Sequence, residues 1–488
     1  MNTRSNFFTL GFIKNSVNDK AMFTLNGSLF YPITYLVNYR NVNSDFIKTI
    51  RSLGCNSINL AVDISDVDKQ EVKDVLALCY EEKMPTFMEI NENEFWQFLQ
   101  KNISLNMIMY NQEPVKHFPD YANPETRKQH LDRYKRAAIL LKKYAHKPII
   151  GVSVGAYDAY HLPDGETHLL FNVPKHQQEF ETYVPYGEWA KKEFIKFLTE
   201  QKVLPENLAL NSLSEIDKLP TSLENSTNFE MWHQWMLFRR HIVKKWLAET
   251  IQTVKEEIDL PVTVTYDLVF SLMEDNATPH FNWTDVVDFI IVYYFTYKQG
   301  VLQSPSLFIP LLLRTVYKEY NDMGKPMIAL MEFTSANTSG TDFARESAPF
   351  VSGMMTTAPE CEIKEYDFQK RSRESHNKNR VESFIKWNKE HSTVLTKVKP
   401  EDTDVLILID KDAIFFKNPY DEILSMNQIP YDIKYLSVQD RKINLGKFKY
   451  ILIPKNFSSG LVSKLDKTRN LIFEDKAVDI LNILNQST

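Results

Sequence analysis

Residues 324–335 read GKPMIALMEFTS, an almost unbroken apolar run after Pro326 that ends in one carboxylate, Glu332. A short apolar run bounded by Gly-Lys-Pro reads as a strand covered on both faces, as in a parallel sheet. Further runs of this kind are Leu29 to Tyr35, Ser57 to Val62, Pro85 to Ile90, Pro148 to Val154, Val262 to Tyr266 and Phe289 to Tyr294, with a weaker one at Glu362 to Phe368. Together with Pro326 to Met331 they number eight, and helical patterns separate them. That is the count of a (β/α)8 barrel.

The helical stretches carry clear signals. Val243, Leu247, Ile251, Val254 and Ile258 recur at spacings of three and four, and the helix is expected to stop before Pro261. Asn123-Pro124-Glu125 opens another helix, whose Tyr134, Ala138 and Leu141 share a face. The interval from about residue 155 to 230 is long enough to suggest a functional insertion.

Beyond Glu390 the segment LTKVKPEDTD (395–404) is a charged connector. Val405 to Ile409, Asp432 to Leu436, Tyr450 to Ile453 and Leu471 to Phe473 then predict a second, smaller α/β layer domain of the flavodoxin-like kind. The expected division is a barrel over 1–390, a linker over 391–403 and the small domain over 404–488.

Composition excludes several classes of function. With 488 residues, 43% hydrophobic, 25% charged and a net charge of −6, the chain has no basic stripe for nucleic acid. Cys55, Cys79 and Cys361 form no C-x-x-C pair, so neither a disulfide framework nor a cysteine zinc site is expected. The opening MNTRSNFFTLGFIKN lacks a signal-type apolar core, and no apolar run is long enough for a membrane span. The expectation is a cytoplasmic protein without membrane attachment. No G-x-G-x-x-G or Walker A pattern occurs, so no nucleotide cofactor is expected, nor any other.

In such a barrel the active site lies where the strands end. The polar residues near those ends are Tyr35, Asn38, Asp63, Glu89, Tyr157, Asp158, Asp267, Tyr293, Tyr294, Glu332 and Asp367. Glu332 stands out, because a lone carboxylate closing an apolar strand needs a reason to be there. Asp63, Glu89 and Asp267 are suited either to accepting sugar hydroxyls or to capping the following helices. His161, His168 and His176 lie seven and eight apart, without the i, i+4 pairing of metal-binding helices, and no metal site is expected. Tyr160, Tyr183, Tyr186 and Trp189 are suited to a stacking wall over a pocket, and Trp189 equally to anchoring the helical pattern that follows it.

The stretches KPMIALMEFT, ANPETRKQHLDRYKRAAILLKKYAHKPIIGVSV, MWHQWMLFRRHIVKKWL and YDFQKRSRESHN resemble, in order and spacing, those of glycoside hydrolase family 42, the retaining β-galactosidases. The resemblance covers about residues 25 to 385. It implies a carbohydrate substrate and Glu332 as nucleophile, with Tyr294 or Tyr293 holding it; Tyr157, Tyr35 and Asp267, read from their places near strand ends, are the expected substrate-binding residues. It also implies a homo-oligomer, a trimer in that family. The family's acid/base Glu follows an Asn at the end of the fourth strand. Here IIGVSVGAYDAYHLPDGE (149–166) has Ala156 and Tyr157 at those places, so Asp158 is the expected acid/base and Glu166 the alternative. The same departure leaves open a catalytically silent barrel that binds a glycan or serves as a partner subunit, and an inverting enzyme is a third possibility.

Overall fold

The computed structural model describes residues 8–108, 114–156, 187–217, 219, 229–267, 284–295, 305–332, 340–357, 375–400, 403–411, 431–437, 445, 448–454, 457, 459–465 and 471–473. The N-terminus forms an antiparallel sheet of β1 (Leu10–Lys14), β2 (Ala21–Leu25) and β3 (Ser28–Phe30). Eight parallel strands then close on themselves: β4 (Ile33–Asn38), β5 (Ser57–Asp63), β6 (Thr86–Asn91), β9 (Ile149–Ala156), β10 (Val262–Asp267), β11 (Ile290–Phe295), β12 (Met327–Glu332) and β13 (Gly353–Thr357). The hairpin β7 (Asn106–Ile108) and β8 (Pro114–Pro119) interrupts the run after β6. A separate parallel sheet has the order β15 (Tyr431–Leu436), β14 (Val405–Asp410), β16 (Tyr450–Ile453), β17 (Leu471–Phe473).

The described helices of eight residues or more are α1 (Ser44–Leu53), α2 (Gln70–Glu81), α3 (Asn93–Lys101), α4 (Pro124–Leu141), α5 (Glu188–Glu200), α6 (Phe229–Glu257), α7 (Pro305–Asp322), α8 (Gly340–Ser347) and α9 (Ser375–Leu395). Local chemistry sets their ends. The Asn43 side chain accepts the Phe46 N–H to start α1, and Asn123 accepts from Glu125 and Thr126 ahead of Pro124 to start α4. The fold is therefore a (β/α)8 barrel with an additional C-terminal sheet, as the sequence implied.

The closing strand is a correction. Barrel strand eight is Gly353–Thr357, whereas the expected Glu362–Phe368, with Asp367, lies outside the described residues. The strand has only five residues, all buried, and two of them are threonines, so its apolar run is too brief to stand out. Gly353 is needed because its Cα passes against Pro32, and a Cβ there would collide with that ring.

Two shells hold the barrel. Outward-facing residues such as Ile58, Leu60, Val62, Met88, Ile90, Val152, Val292 and Met331 pack under the helices. Inside, Leu36, Phe87, Ile150, Phe289, Ile291, Ile328, Leu330 and Met355 form one cluster with Leu10, Phe23 and Phe30 of the N-terminal sheet. Phe289 meets Phe23 at 5.4 Å, Phe87 at 5.8 Å and Phe12 at 6.1 Å. Phe87 and Phe289 lie where β6 and β11 begin, so the N-terminal sheet seals the end of the barrel opposite the strand ends.

Polar contacts fasten that seal to the rest. Lys20 is fully buried, and its Nζ donates to the carbonyls of Ala348 at 3.0 Å and Val398 at 3.3 Å. Asn18 Nδ2 donates to Thr396 O, and Asn321 Oδ1 accepts the Ala21 N–H. The C-terminal sheet meets α6 and α7 through Arg314–Asp432 at 3.1 Å, Lys411–Glu319 at 2.8 Å and Arg240 Nη1 donating to Lys411 O.

Burial lowers the Lys20 pKa from 10.5 to about 7. Between those values the unfolded chain carries a proton that the folded chain does not, so stability is expected to rise with pH from about 7 to about 10.5. Below that window the full cost of burying the cation remains. Replacing Lys20→Met should flatten the slope, which is at most about 1.4 kcal/mol per pH unit. Chemical denaturation of both proteins across this pH range measures it.

Candidate active site at the barrel mouth

Strand alternation sorts the residues at the mouth. In the first three barrel strands, burial is complete until the C-terminal half, where positions 38, 61, 63, 89 and 91 become half-buried while Val37, Leu60, Val62 and Ile90 between them stay buried. The half-buried positions belong to the inward-facing course and the buried ones to the helix-facing course. Solvent therefore reaches into the barrel along β4, β5 and β6.

Beneath this opening runs a polar layer. Glu89 Oε2 accepts from Asn59 Nδ2 at 2.9 Å and from Thr265 Oγ1 at 3.4 Å. Thr265 Oγ1 and Ser153 Oγ lie 3.3 Å apart, and Asn59 Nδ2 reaches Met355 Sδ at 3.5 Å. These residues come from β5, β6, β9, β10 and β13, so one network spans the barrel above its apolar cluster. Asn59, Ser153 and Thr265 were absent from the sequence reading. Their signal was a polar residue at an inward position within an apolar strand, such as Asn59 in SINLAVD.

Asp63 and Glu89, equal in the sequence, part company here. Asp63 Oδ1 accepts from the Ser65 N–H at 3.0 Å and the Ser65 hydroxyl at 2.8 Å, and Oδ2 accepts the Glu94 N–H at 3.2 Å. It orders its own turn and serves the start of α3. Burial raises its pKa, against the lowering effect of those donors. Asn38 likewise accepts the Arg40 N–H and begins a short turn. Glu89, by contrast, stays within the barrel.

Residues behind the mouth brace it. Glu92 Oε1 accepts from Tyr134 Oη at 2.6 Å and lies 2.9 Å from His130 Nε2, while His130 packs on the Trp246 ring at 4.2 Å. This ties the end of β6 to α4 and α6. Asp66 is buried against Tyr39 Oη, Arg40 and Lys69. Its burial alone would raise its pKa, but the donors and charges around it hold it below the usual value.

Glu332 is the last residue of barrel strand seven, paired in register with Phe295 and Thr357. Its position is in step with Ile328 and Leu330, both in the inner cluster. Position 267 is in step with Thr263 and Thr265, and it pairs with position 293. Of the two tyrosine positions, 293 follows Phe289 and Ile291 on the inward course, and 294 follows Ile290 and Val292 on the outward one. Tyr35 is buried on the outer side of β4 and meets the Phe46 ring at 5.6 Å, so its expected place near a substrate gives way to packing. The fourth barrel strand ends at Ala156; Tyr157, Asp158, Tyr160, His161, Glu166, His168, His176, Tyr183 and Tyr186 lie outside the described residues. Trp189 is on α5, 41% exposed, with Lys192 Nζ 4.6 Å from its ring centre.

Among the described residues no group of three or more His, Cys, Asp or Glu is arranged to hold a metal ion. No described helix is long and apolar enough to cross a membrane.

No protein-family model matches the chain, and no curated protein sequence does. Among solved structures, the chain is similar to the catalytic domain of β-amylase from Paenibacillus polymyxa, with a TM-score of 0.53 and 12% identity over 75% of this chain and 99% of that one. Another similar structure is GH5_18 from Streptomyces cattleya in complex with GlcNAc, with a TM-score of 0.48 and 9% identity over 83% of this chain and 93% of that one. The first likeness shows a shared barrel fold.

Asp63→Ala should lower stability by about 1 kcal/mol through loss of the acceptor at the start of α3, and Asp63→Asn should recover most of it. Urea denaturation of the three proteins measures the difference.

Proposed function

We propose that the chain is a glycoside hydrolase acting on a small β-linked glycoside, with the β-galactosidases of family 42 as the pattern. The observation that carries the reading is Glu332 as the last residue of barrel strand seven, at a position in step with Ile328 and Leu330 of the inner cluster. A polar layer beneath an open barrel mouth suits a ligand rich in hydroxyls. The likeness to the β-amylase domain supports the barrel on which such chemistry is built, and the chemistry itself rests on the residues.

In this reading Glu332 attacks the anomeric carbon while Asp158 gives its proton to the departing oxygen, and the glycosidic bond breaks. The Asp158 carboxylate then takes a proton from water, the water oxygen attacks the anomeric carbon, and Glu332 is released. Retention of configuration needs the two carboxyl groups about 5–5.5 Å apart. Tyr293 or Tyr294 holds the nucleophile, and Asp267 and Tyr157 contact the sugar. The protein is cytoplasmic and self-associates as a trimer, with residues 1–390 as the barrel and 404–488 as the small domain.

A second reading is favoured by one observation: strand four ends in Gly155-Ala156, where the family pattern has its Asn ahead of the acid/base Glu. On that ground the barrel binds a glycan or a partner chain and does not turn over.

A panel of 4-nitrophenyl glycosides separates the two readings. Glu332→Gln should abolish hydrolysis with an unchanged unfolding midpoint, and Asp158→Asn should lower it by about 10²–10⁴-fold. Full activity in Glu332→Gln rejects the nucleophile. Sugar binding by the wild type without hydrolysis of any member selects the second reading.

A further inference from the structure

We propose that Trp189, on the first turn of α5, is an outer sugar platform: its indole stacks on one pyranose unit of a β-linked glycan whose end lies in the barrel mouth. The inference rests on the glycosidase reading and adds to it a second subsite, which makes the substrate a chain of several sugars.

α5 belongs to the connection that leaves the C-terminal end of β9, the fourth barrel strand. A Cβ at Gly187, which precedes the helix, would stand 3.2 Å from Ile108 Cγ1. Ile108 ends β7 of the hairpin that follows β6 by way of α3, and the Glu94 N–H at the start of α3 donates to Asp63 at the end of β5. Connections from two neighbouring barrel strands, β6 and β9, thus meet where α5 begins. Trp189 stands two residues further on.

The packing of α5 does not need this ring. Ala190, Phe194, Phe197 and Leu198 form its buried stripe, and Phe194 meets the Trp235 and Phe238 rings at 5.2 Å and 5.3 Å. Trp189 lies off that stripe and is 41% exposed, whereas Trp232, Trp235 and Trp246 are buried. The work of anchoring the helix therefore falls to the phenylalanines. Lys192 Nζ, 4.6 Å from the ring centre, steadies the indole by a cation–π contact. Among the described residues no other ring or cation stacks on Trp189, and nothing accepts from its indole N–H.

The surroundings select the ligand. An exposed indole offers an apolar face and a polar edge, which matches a pyranose, with C–H groups on its face and hydroxyls around its rim. Glu188 and Lys192 are also exposed on α5, and neither has an ion-pair partner among the described residues. An acceptor and a donor for hydroxyls therefore accompany the ring. A single ring set among charges is too small for a stable protein partner, which needs about 800 Å² on each side. A glycan fits better: one sugar occupies the mouth, and a unit further along the chain covers the indole.

The test is calorimetric titration of galactose, glucose and mannose and of their β-1,4-linked tetraoses. The protein is Glu332→Gln, in which the sugars stay uncleaved, alone and combined with Trp189→Ala or Trp189→Phe. Without a change at Trp189 the preferred tetraose should bind at least about tenfold more tightly than its monosaccharide. Trp189→Ala should weaken tetraose binding by about fivefold or more and monosaccharide binding by less, and Trp189→Phe, which keeps a ring, should recover part of the loss. Should Trp189→Ala fail to fold, Trp189→Gln is read instead.

Unchanged tetraose affinity in Trp189→Ala, an equal loss for both lengths of sugar, or no binding of any of these sugars overturns the inference. Hydrolysis of a 4-nitrophenyl glycoside by wild type, lost in Glu332→Gln, would then leave the glycosidase reading standing. Tetraose binding that depends on Trp189, in a protein whose wild type cleaves no glycoside, upholds the platform and rejects the glycosidase reading.

Discussion

Closure of the eight-stranded sheet is the constraint from which the rest follows. Once β13 pairs with β4, every strand residue is committed either to the interior or to the layer beneath the helices, and a slip of one residue would reverse both. The interior narrows the choice further. Its lower part is filled by Phe87, Phe289, Ile291, Ile328 and Leu330, with the rings of Phe12 and Phe23 against Phe289 from outside. Along the first three barrel strands, the inward positions that solvent reaches are those nearer the strand ends.

That arrangement separates residues that look alike in the sequence. Asp63 and Glu89 are acids on neighbouring strands, both half-buried, yet one is occupied by the donors of Ser65 and Glu94 while the other joins a network across the barrel. Tyr35 and Glu332 were both expected near a substrate. The first alternates to the outer shell against Phe46, and the second holds a position in step with Leu330.

Seven of the eight barrel strands and all four of the C-terminal sheet were readable, because each is an apolar run cut off by Pro, Gly or charge. Long amphipathic helices such as α6 were readable for a similar reason. The eighth strand was not, since Gly353-Met-Met-Thr-Thr357 is short and takes its burial from Pro32 and its neighbours more than from its own hydrophobicity. The site was legible in part. A carboxylate ending an apolar strand announces itself locally, whereas the layer of Asn59, Glu89, Ser153 and Thr265 exists only through contacts between strands as distant as β6 and β10. Parity was also out of reach for adjacent tyrosines 293 and 294, because which of the two follows the inward course depends on the register with β12.

The seal at the base of the barrel has a consequence for how the chain comes to be folded. Lys20 meets Ala348, 328 residues later, and Asn18 meets Thr396, 378 residues later. During synthesis the N-terminal sheet emerges early with Phe12, Phe23 and Phe30 exposed, and its partners follow only when most of the chain has left the ribosome. Contacts of such separation slow folding and lengthen the time during which apolar strand edges stay uncovered. Residues 8–30 thus form a cap whose fastening contacts lie hundreds of residues further along the sequence.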